Sequence, residues 1–210
     1  MISHALTIVM NELNKHLADA YQATSPQVRL GNLAEGFGAE SGNNGMRETL
    51  HLSVVNFKEE KALKNIPAYV RNDTTLRVTY ENPPVFLNLL VLLSATHANY
   101  TNALVILSRA IRFFQSMHVF TQDAVALASI TTNAPMNALD QLEEFKLIFD
   151  LYSPTMEEVN HLWGTLGGKQ YPFVLYVLRM LDLKFKAVQS ESGLITEVTT
   201  DVVHKQAVAG

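Results

Sequence analysis

The stretch that decides the fold is residues 153–186, which read SPTMEEVNHLWGTLGGKQYPFVLYVLRMLDLKFK. Thr155 and Glu158 form a T-x-x-E capping box, in which the hydroxyl accepts the Glu158 backbone N–H and the carboxylate reaches back to the N–H of Thr155. Apolar residues then recur at helical spacing until Gly167-Gly168, where glycine reaches left-handed dihedral angles without a Cβ penalty. The pattern predicts a helix that begins after Thr155 and ends at these glycines.

A long apolar strand is predicted after this helix. Residues 173–185 are mostly apolar on both alternating faces, with Arg179 and Asp182 as the breaks. Such a strand is either covered on both sides, or covered on one side and used as a contact surface on the other. Trp163, the one tryptophan of the chain, is interpreted as a core anchor because aromatic residues at helical spacing usually pack inside.

Composition limits the class of protein. The 210 residues are 48% hydrophobic and 17% charged, which is enough apolar material for one domain with a sizeable core. The net charge of −4 gives no basic footprint and argues against a nucleic-acid partner. No cysteine is present, so disulfides, thiolate metal sites and cysteine nucleophiles are excluded. The longest apolar run, residues 85–95, is shorter than the roughly 20 residues that span a bilayer, and no membrane partner is expected.

The rest of the chain shows alternating helix and strand patterns. We expect an α+β (mixed α/β) domain at residues 1–188, with a four- to five-stranded mixed sheet flanked by about three helices. Residues 189–210 form a predicted C-terminal tail that is flexible or makes an interface. The further predicted elements are helices at 2–21, 101–117 and 123–129, strands at 46–57, 76–80, 85–96 and 142–152, and a Gly/Asn-rich surface loop at 30–45.

The helix predicted at residues 101–117 is apolar over much of its length. Arg109, Arg112 and Gln115 are expected to face solvent. Its expected buried stripe comprises Leu104, Val105, Leu107, Ala110, Ile111 and Phe114.

No local motif indicates catalysis, a cofactor or a metal. The Gly36-Phe37-Gly38 turn follows no strand and lacks the Lys-Ser/Thr of a phosphate-binding loop. The seven histidines are scattered without metal-ligand spacing, and adjacent acid pairs such as Glu143-Glu144 point to opposite faces of a strand. We therefore predict that the chain is not an enzyme, while a constellation assembled from distant residues stays open as an alternative.

Surfaces for association stand out instead. Two very apolar strands, the Gly/Asn-rich loop and the β-prone tail suit a subunit that buries faces against copies of itself or lends edges to neighbours. An ordinary monomer with a well-covered sheet fits the same composition.

Four motifs in order carry a family resemblance. They are MISHAL (1–6), NPPVFLNLLVLLS (82–94), LSRAIRFFQ (107–115), and LWGTLG (162–167) with YPF (171–173) and its closing strand. Together they cover most of residues 1–188, and the chain resembles the tail-terminator, or tube-cap, family of phage-tail-like contractile injection systems of the antifeeding-prophage type.

The resemblance implies a non-enzymatic particle component without cofactors. Its expected form is a hexameric ring that ends the inner tube and anchors the last sheath layer, with the inner tube protein and the sheath protein as partners. Such a subunit assembles in the cytoplasm and then belongs to a particle that can be released. Alternatives are another phage-tail-like connector, a baseplate adaptor, or an enzyme with an unrecognised site. The predicted interface residues are Gly36, Phe37, Gly38, Asn43, Asn44, Leu194, Ile195, Val198 and Val202.

Overall fold

The computed structural model describes residues 1–33, 48–63, 67–72, 74–183, 190–193, 198 and 200. The chain divides into two compact units, of which the first comprises Met1–Ala62 with Val85–Leu183 and the second Leu63–Pro84 with Lys184–Gly210. The described α-helices are α1 (Ile2–Tyr21), α2 (Tyr100–Ser116), α3 (Leu127–Thr131) and α4 (Met156–Thr165). The described strands are β1 (Val28–Leu30), β2 (Leu50–Glu59), β3 (Tyr69–Asn72), β4 (Arg77–Tyr80), β5 (Val85–Ala95), β6 (Val119–Thr121), β7 (Lys146–Tyr152), β8 (Phe173–Leu183) and β9 (Ser190–Gly193).

The sheet of the first unit has the strand order β1-β2-β5-β8-β7-β6. β1 pairs with β2 in parallel and the other pairs are antiparallel, so the sheet is mixed and the predicted α+β class is confirmed. The predicted count of four to five strands is wrong, because this sheet has six. β1 and β6 have three residues each, which is too short for an alternating pattern to register. The strand predicted at 76–80 belongs to the second unit.

The two apolar strands β5 and β8 lie side by side in the centre of the sheet. One face of β5 packs into a large cluster with α1 and α2, and the opposite face packs with α4 through Leu92, Leu175 and Trp163. Trp163 is buried, as a core anchor should be. Coverage on both sides, the first of the two expectations for the strand at 173–185, therefore holds where α4 lies over the sheet.

The ends of α4 follow the chemistry read from the sequence. The Glu158 N–H donates to Thr155 Oγ1 at 3.3 Å, and the Thr155 N–H donates to Glu158 Oε2 at 2.8 Å, which completes the capping box. At the other end Gly167 and Gly168 have φ of 91° and 76°, and the Gly168 N–H donates to the Trp163 carbonyl at 2.8 Å.

The buried stripe of α2 differs from the expectation. The expected core residues Leu104, Val105 and Ile111 are 42%, 42% and 37% exposed. Because α2 has more apolar residues than its buried side holds, periodicity alone does not select which of them face the sheet. Aromatic packing of α2 against β6, β7 and β8 determines which of its residues face the sheet. The aromatic cluster comprises Phe113, Phe114, Phe120, Phe149 and Tyr176. The side chains of α2 that are buried are Ala103, Ile106, Leu107, Ala110, Phe113 and Phe114.

The second unit contains a small antiparallel sheet of order β3-β4-β9. Every residue of β3 is exposed, and Tyr69 stands opposite Tyr80 with ring centroids 6.5 Å apart. β9 lies within the predicted tail, where Ser190 pairs with Tyr80. The division into a domain at 1–188 and a tail at 189–210 stays a prediction. Among the described helices, none combines the length and apolar character that a membrane crossing needs.

Candidate assembly surfaces

The predicted interface residues fall mostly beyond the part of the chain that the structure describes. Val198 is described and exposed. The others lie outside the described residues: Gly36, Phe37, Gly38, Asn43, Asn44, Leu194, Ile195 and Val202. Their role in an interface stays a prediction, and the candidate surfaces below are built from the described residues.

Polar side chains of α1 hold the short helix α3 at both ends. The carboxylate of Glu12, which is buried, accepts the N–H of Ala126 at 2.7 Å, directly before α3 begins. The side-chain amide of Asn11 donates to the carbonyls of Ser129 and Thr132 at 2.9 Å each. A helix of five residues has no stability of its own, so α1 supplies the partners that keep it folded.

His4 extends the same attachment to the residues that follow α3. Its ring is buried, Nδ1 accepts the N–H of Leu142 at 2.9 Å, and Nε2 lies 2.9 Å from the carbonyl of Ile130. The pair of contacts fits the tautomer that carries its hydrogen on Nε2, since Nδ1 serves as an acceptor. Both ring nitrogens of His4 are therefore hydrogen-bonded within the fold.

The outer surface of residues 126–144, here named the acidic segment, is apolar and negatively charged. Leu127 and Leu139 are 75% and 68% exposed, and Met136 is fully exposed. The segment contains no Lys or Arg. Its acidic side chains, all exposed, are Asp140, Glu143 and Glu144. Exposed apolar groups beside charge of one sign are typical of contact surfaces.

A second apolar surface lies on α2, beside the residues of this helix that are buried. Tyr100, Leu104 and Ile111 follow one another at helical spacing along this surface, and all three are exposed. Val105 and Arg112 are exposed on the adjoining side of the helix, and α2 contains no acidic residue. We name the exposed side chains Tyr100, Leu104, Val105, Ile111 and Arg112 the α2 outer face.

Among the described residues, the edge of the six-stranded sheet is open along the second half of β2. β1 pairs with residues 50–52 alone, and no described strand lies beside residues 54–57 on that side. A bulge interrupts the β2–β5 register between Val54 and Asn56, and the Asn56 side chain accepts the Phe57 N–H at 2.8 Å. An open edge of this kind accepts an added strand from another chain.

A cavity of about 260 Å³ lies between α4 and the sheet. Its wall combines apolar and polar side chains, among them Leu90, Leu162, Val177, Lys58, Asn88, Tyr152, Glu158 and His161. The backbone N–H of Thr155 and the Tyr152 hydroxyl, 2.8 Å away, hold the pKa of Glu158 below its usual range. The same hydroxyl bond raises the pKa of Tyr152. Across the described ranges, no three His, Cys, Asp or Glu side chains are grouped to hold a metal ion.

Comparison with known proteins supplies the family. The profile of the Pvc16 N-terminal domain matches residues 4–197. The chain belongs to the Pvc16 N-terminal domain family. This membership confirms the resemblance to tail terminators that the four motifs indicated. No curated protein matches the sequence significantly.

Two solved structures have the fold of this Pvc16-type domain. The sheath/tube terminator of the PVC extracellular contractile injection system, in its extended state, superposes with a TM-score of 0.63 and 12% identity over 100% of the chain and 65% of that protein. The tube-terminating cap of the anti-feeding prophage gives a TM-score of 0.56 and 14% identity over 92% of the chain and 60% of that protein. The chain thus spans less than two-thirds of the length of either.

Sequence reasoning did not find the α2 outer face or the acidic segment. The signal for the first was present, because α2 has more apolar residues than one buried stripe can use. The acidic segment gives no periodic signal because it contains no long helix or strand. Contacts from α1 hold it in place instead.

Proposed function

We propose that this Pvc16-type domain acts as the tube-terminating cap of a contractile injection particle. The observation that carries the proposal is the family match over residues 4–197, and the fold shared with a sheath/tube terminator supports it. The role rests on recognition of surfaces and needs no catalytic step, metal or cofactor.

In the proposed particle, six copies form a ring on the distal end of the inner tube. One face of the ring matches the open tube end, and the other offers no tube-like surface, so addition of tube subunits stops there. A closed ring is heterologous, which means that one surface of each subunit fits a different surface of the next. The ring assembles in the cytoplasm and leaves with the released particle, and neither nucleic acid nor membrane is a proposed partner.

The proposed cap also anchors the last layer of sheath. The open edge of β2 at residues 54–57 supports this part of the proposal, because an extended arm of a sheath subunit could pair with its backbone. The loop residues 36–44 and the tail residues 194–202 are further proposed contacts with sheath or tube.

The test locates the chain on purified tubes. Lys169 is exposed and the chain has no cysteine, so Lys169→Cys provides one attachment point for a gold label. On tubes that keep their baseplate, we expect label at the end opposite the baseplate in negative-stain images, and no further elongation of labelled ends when tube subunits are added. Label at the baseplate end would assign a connector or adaptor role instead, and label at neither end would contradict the proposal.

A further inference from the structure

The α2 outer face is an apolar surface without a partner among the described residues. Tyr100 is 67% exposed, and Leu104, Val105 and Ile111 are exposed beside it. Six other residues of the same helix already fill the core, so these side chains are not needed for folding. Solvent-facing apolar side chains that continue along a helix indicate contact with another chain.

The acidic segment complements this face in both charge and apolar character. The face carries Arg112, and α2 contains no acid, whereas residues 126–144 carry three acids and no Lys or Arg. Arg109, the other arginine of α2, lies over the Tyr21 ring and is not counted in the face. Each surface also exposes large apolar side chains, Leu104 on one and Met136 on the other. Opposite charges around apolar contacts favour association and suppress contacts between two like surfaces.

The acidic segment is held in position before any partner arrives. Glu12 and Asn11 bind the two ends of α3, and His4 binds the chain on both sides of the segment's middle, at Ile130 and Leu142. A surface that is already ordered loses less conformational entropy on binding than a flexible loop of the same composition.

We infer that the α2 outer face of one copy of this chain binds the acidic segment of the next copy. Because the two surfaces differ, each copy has one of each and the contact runs head to tail, as a closed ring requires. The inference rests on the proposed cap function and identifies the subunit contact within its ring.

Two variants separate the surfaces. The face variant carries Tyr100→Asp and Leu104→Asp, and the segment variant carries Met136→Asp and Leu139→Asp; all four side chains are exposed, so the fold tolerates the changes. Native mass is measured over a range of concentrations, with thermal melting as the check on folding. We expect the wild type to assemble and each variant alone to be monomeric. The two variants mixed should give a dimer and nothing larger, because one intact pair of surfaces remains and the two altered surfaces repel.

Matched variants make the test specific. Met156→Asp changes an exposed apolar residue on α4 and should leave assembly at the wild-type level. Arg112→Glu is a milder change of the α2 outer face and should weaken association several-fold, with a larger effect at low salt. Assembly of either double variant at the wild-type level would overturn the inference. A dimer of the segment variant alone would also overturn it, because it would show contact between two α2 outer faces.

The same samples are compared on purified tubes if the wild type assembles only there. Loss of the ring with each double variant and retention with Met156→Asp supports the inference. Rings that tolerate both double variants refute this contact and leave the cap function standing. Absence of the wild type from tube ends refutes the cap function whatever the variants do.

Discussion

At the scale of single residues, burial of Tyr176 makes the stability of the fold depend on pH. Its ring packs against Phe114 and Phe149 at centroid distances of 4.7 and 6.3 Å, and burial raises the pKa of Tyr176 to about 12. An unfolded tyrosine titrates near pH 10. The neutral phenol therefore stabilises the fold below about pH 10, and this stability is lost as pH rises toward 12, by roughly 1.4 kcal/mol per pH unit.

Tyr176→Phe should remove that loss. We expect the free energy of unfolding, measured by urea denaturation between pH 8 and pH 11, to fall less steeply above pH 10 in Tyr176→Phe than in the wild type. Phe149→Leu changes the same cluster but keeps the phenol, so it should lower stability at every pH without changing the slope. Equal slopes for wild type and Tyr176→Phe would show that another group controls alkaline unfolding.

Single residues were predicted well where their partners are near in sequence. The capping pair Thr155 and Glu158 consists of residues three positions apart, and its role is confirmed. The helical spacing of apolar residues around Trp163 likewise marked its buried side, and its role as a core anchor is confirmed. Glu12 and His4 act on groups 114 to 138 residues away. No pattern in the sequence of α1 predicts these contacts, because a polar residue on an amphipathic helix ordinarily faces solvent.

At the scale of elements, α3 depends on α1 for its stability. Glu12→Ala removes the acceptor for the Ala126 N–H and should lower the free energy of unfolding by about 1–3 kcal/mol. Glu12→Gln keeps an oxygen at the same reach and should lose less. Urea denaturation gives the energies, and hydrogen exchange of the α3 amides shows whether this helix opens first.

Glu144→Ala is the matched control for this element, since Glu144 is exposed and lies outside α3. It should change stability by less than about 0.5 kcal/mol. If Glu12→Ala and Glu144→Ala cost the same, or if the α3 amides stay protected in Glu12→Ala, then α3 is stabilised by apolar contacts and the carboxylate is not required.

The longer helices and strands were predicted close to their observed bounds, whereas the three-residue strands and the orientation of α2 were not. α1 was predicted with its observed ends, and α4 and β8 within a few residues. β1 and β6 have three residues each and are strands because long neighbours pair with them. The orientation of α2 depends on its packing against aromatic residues of β6, β7 and β8. It could therefore not be predicted from the sequence of α2 alone.

At the scale of the whole molecule, strand order was beyond sequence reasoning. β5 pairs with β2 and β8, and β9 pairs with β4, and more than 70 residues intervene in two of the three cases. The sequence of β9, SESG, has no apolar residue that would mark it as a strand. β9 is a strand because its backbone pairs with that of β4, and backbone pairing does not depend on amino-acid composition.

The position of β9 divides the predicted tail into two parts that deletions can separate. Deletion of residues 194–210 keeps β9 and should leave both sheets and tube capping intact, while weakening sheath attachment if the tail makes that contact. Deletion of residues 189–210 also removes the partner of β4, and should expose the β4 amides at residues 77–80 to hydrogen exchange. Sheath retention is scored by electron microscopy of particles assembled with each deletion. If particles with residues 194–210 deleted are still fully sheathed, sheath attachment belongs to another surface. The open edge of β2 is then the next surface to test, with the substitution Val55→Pro.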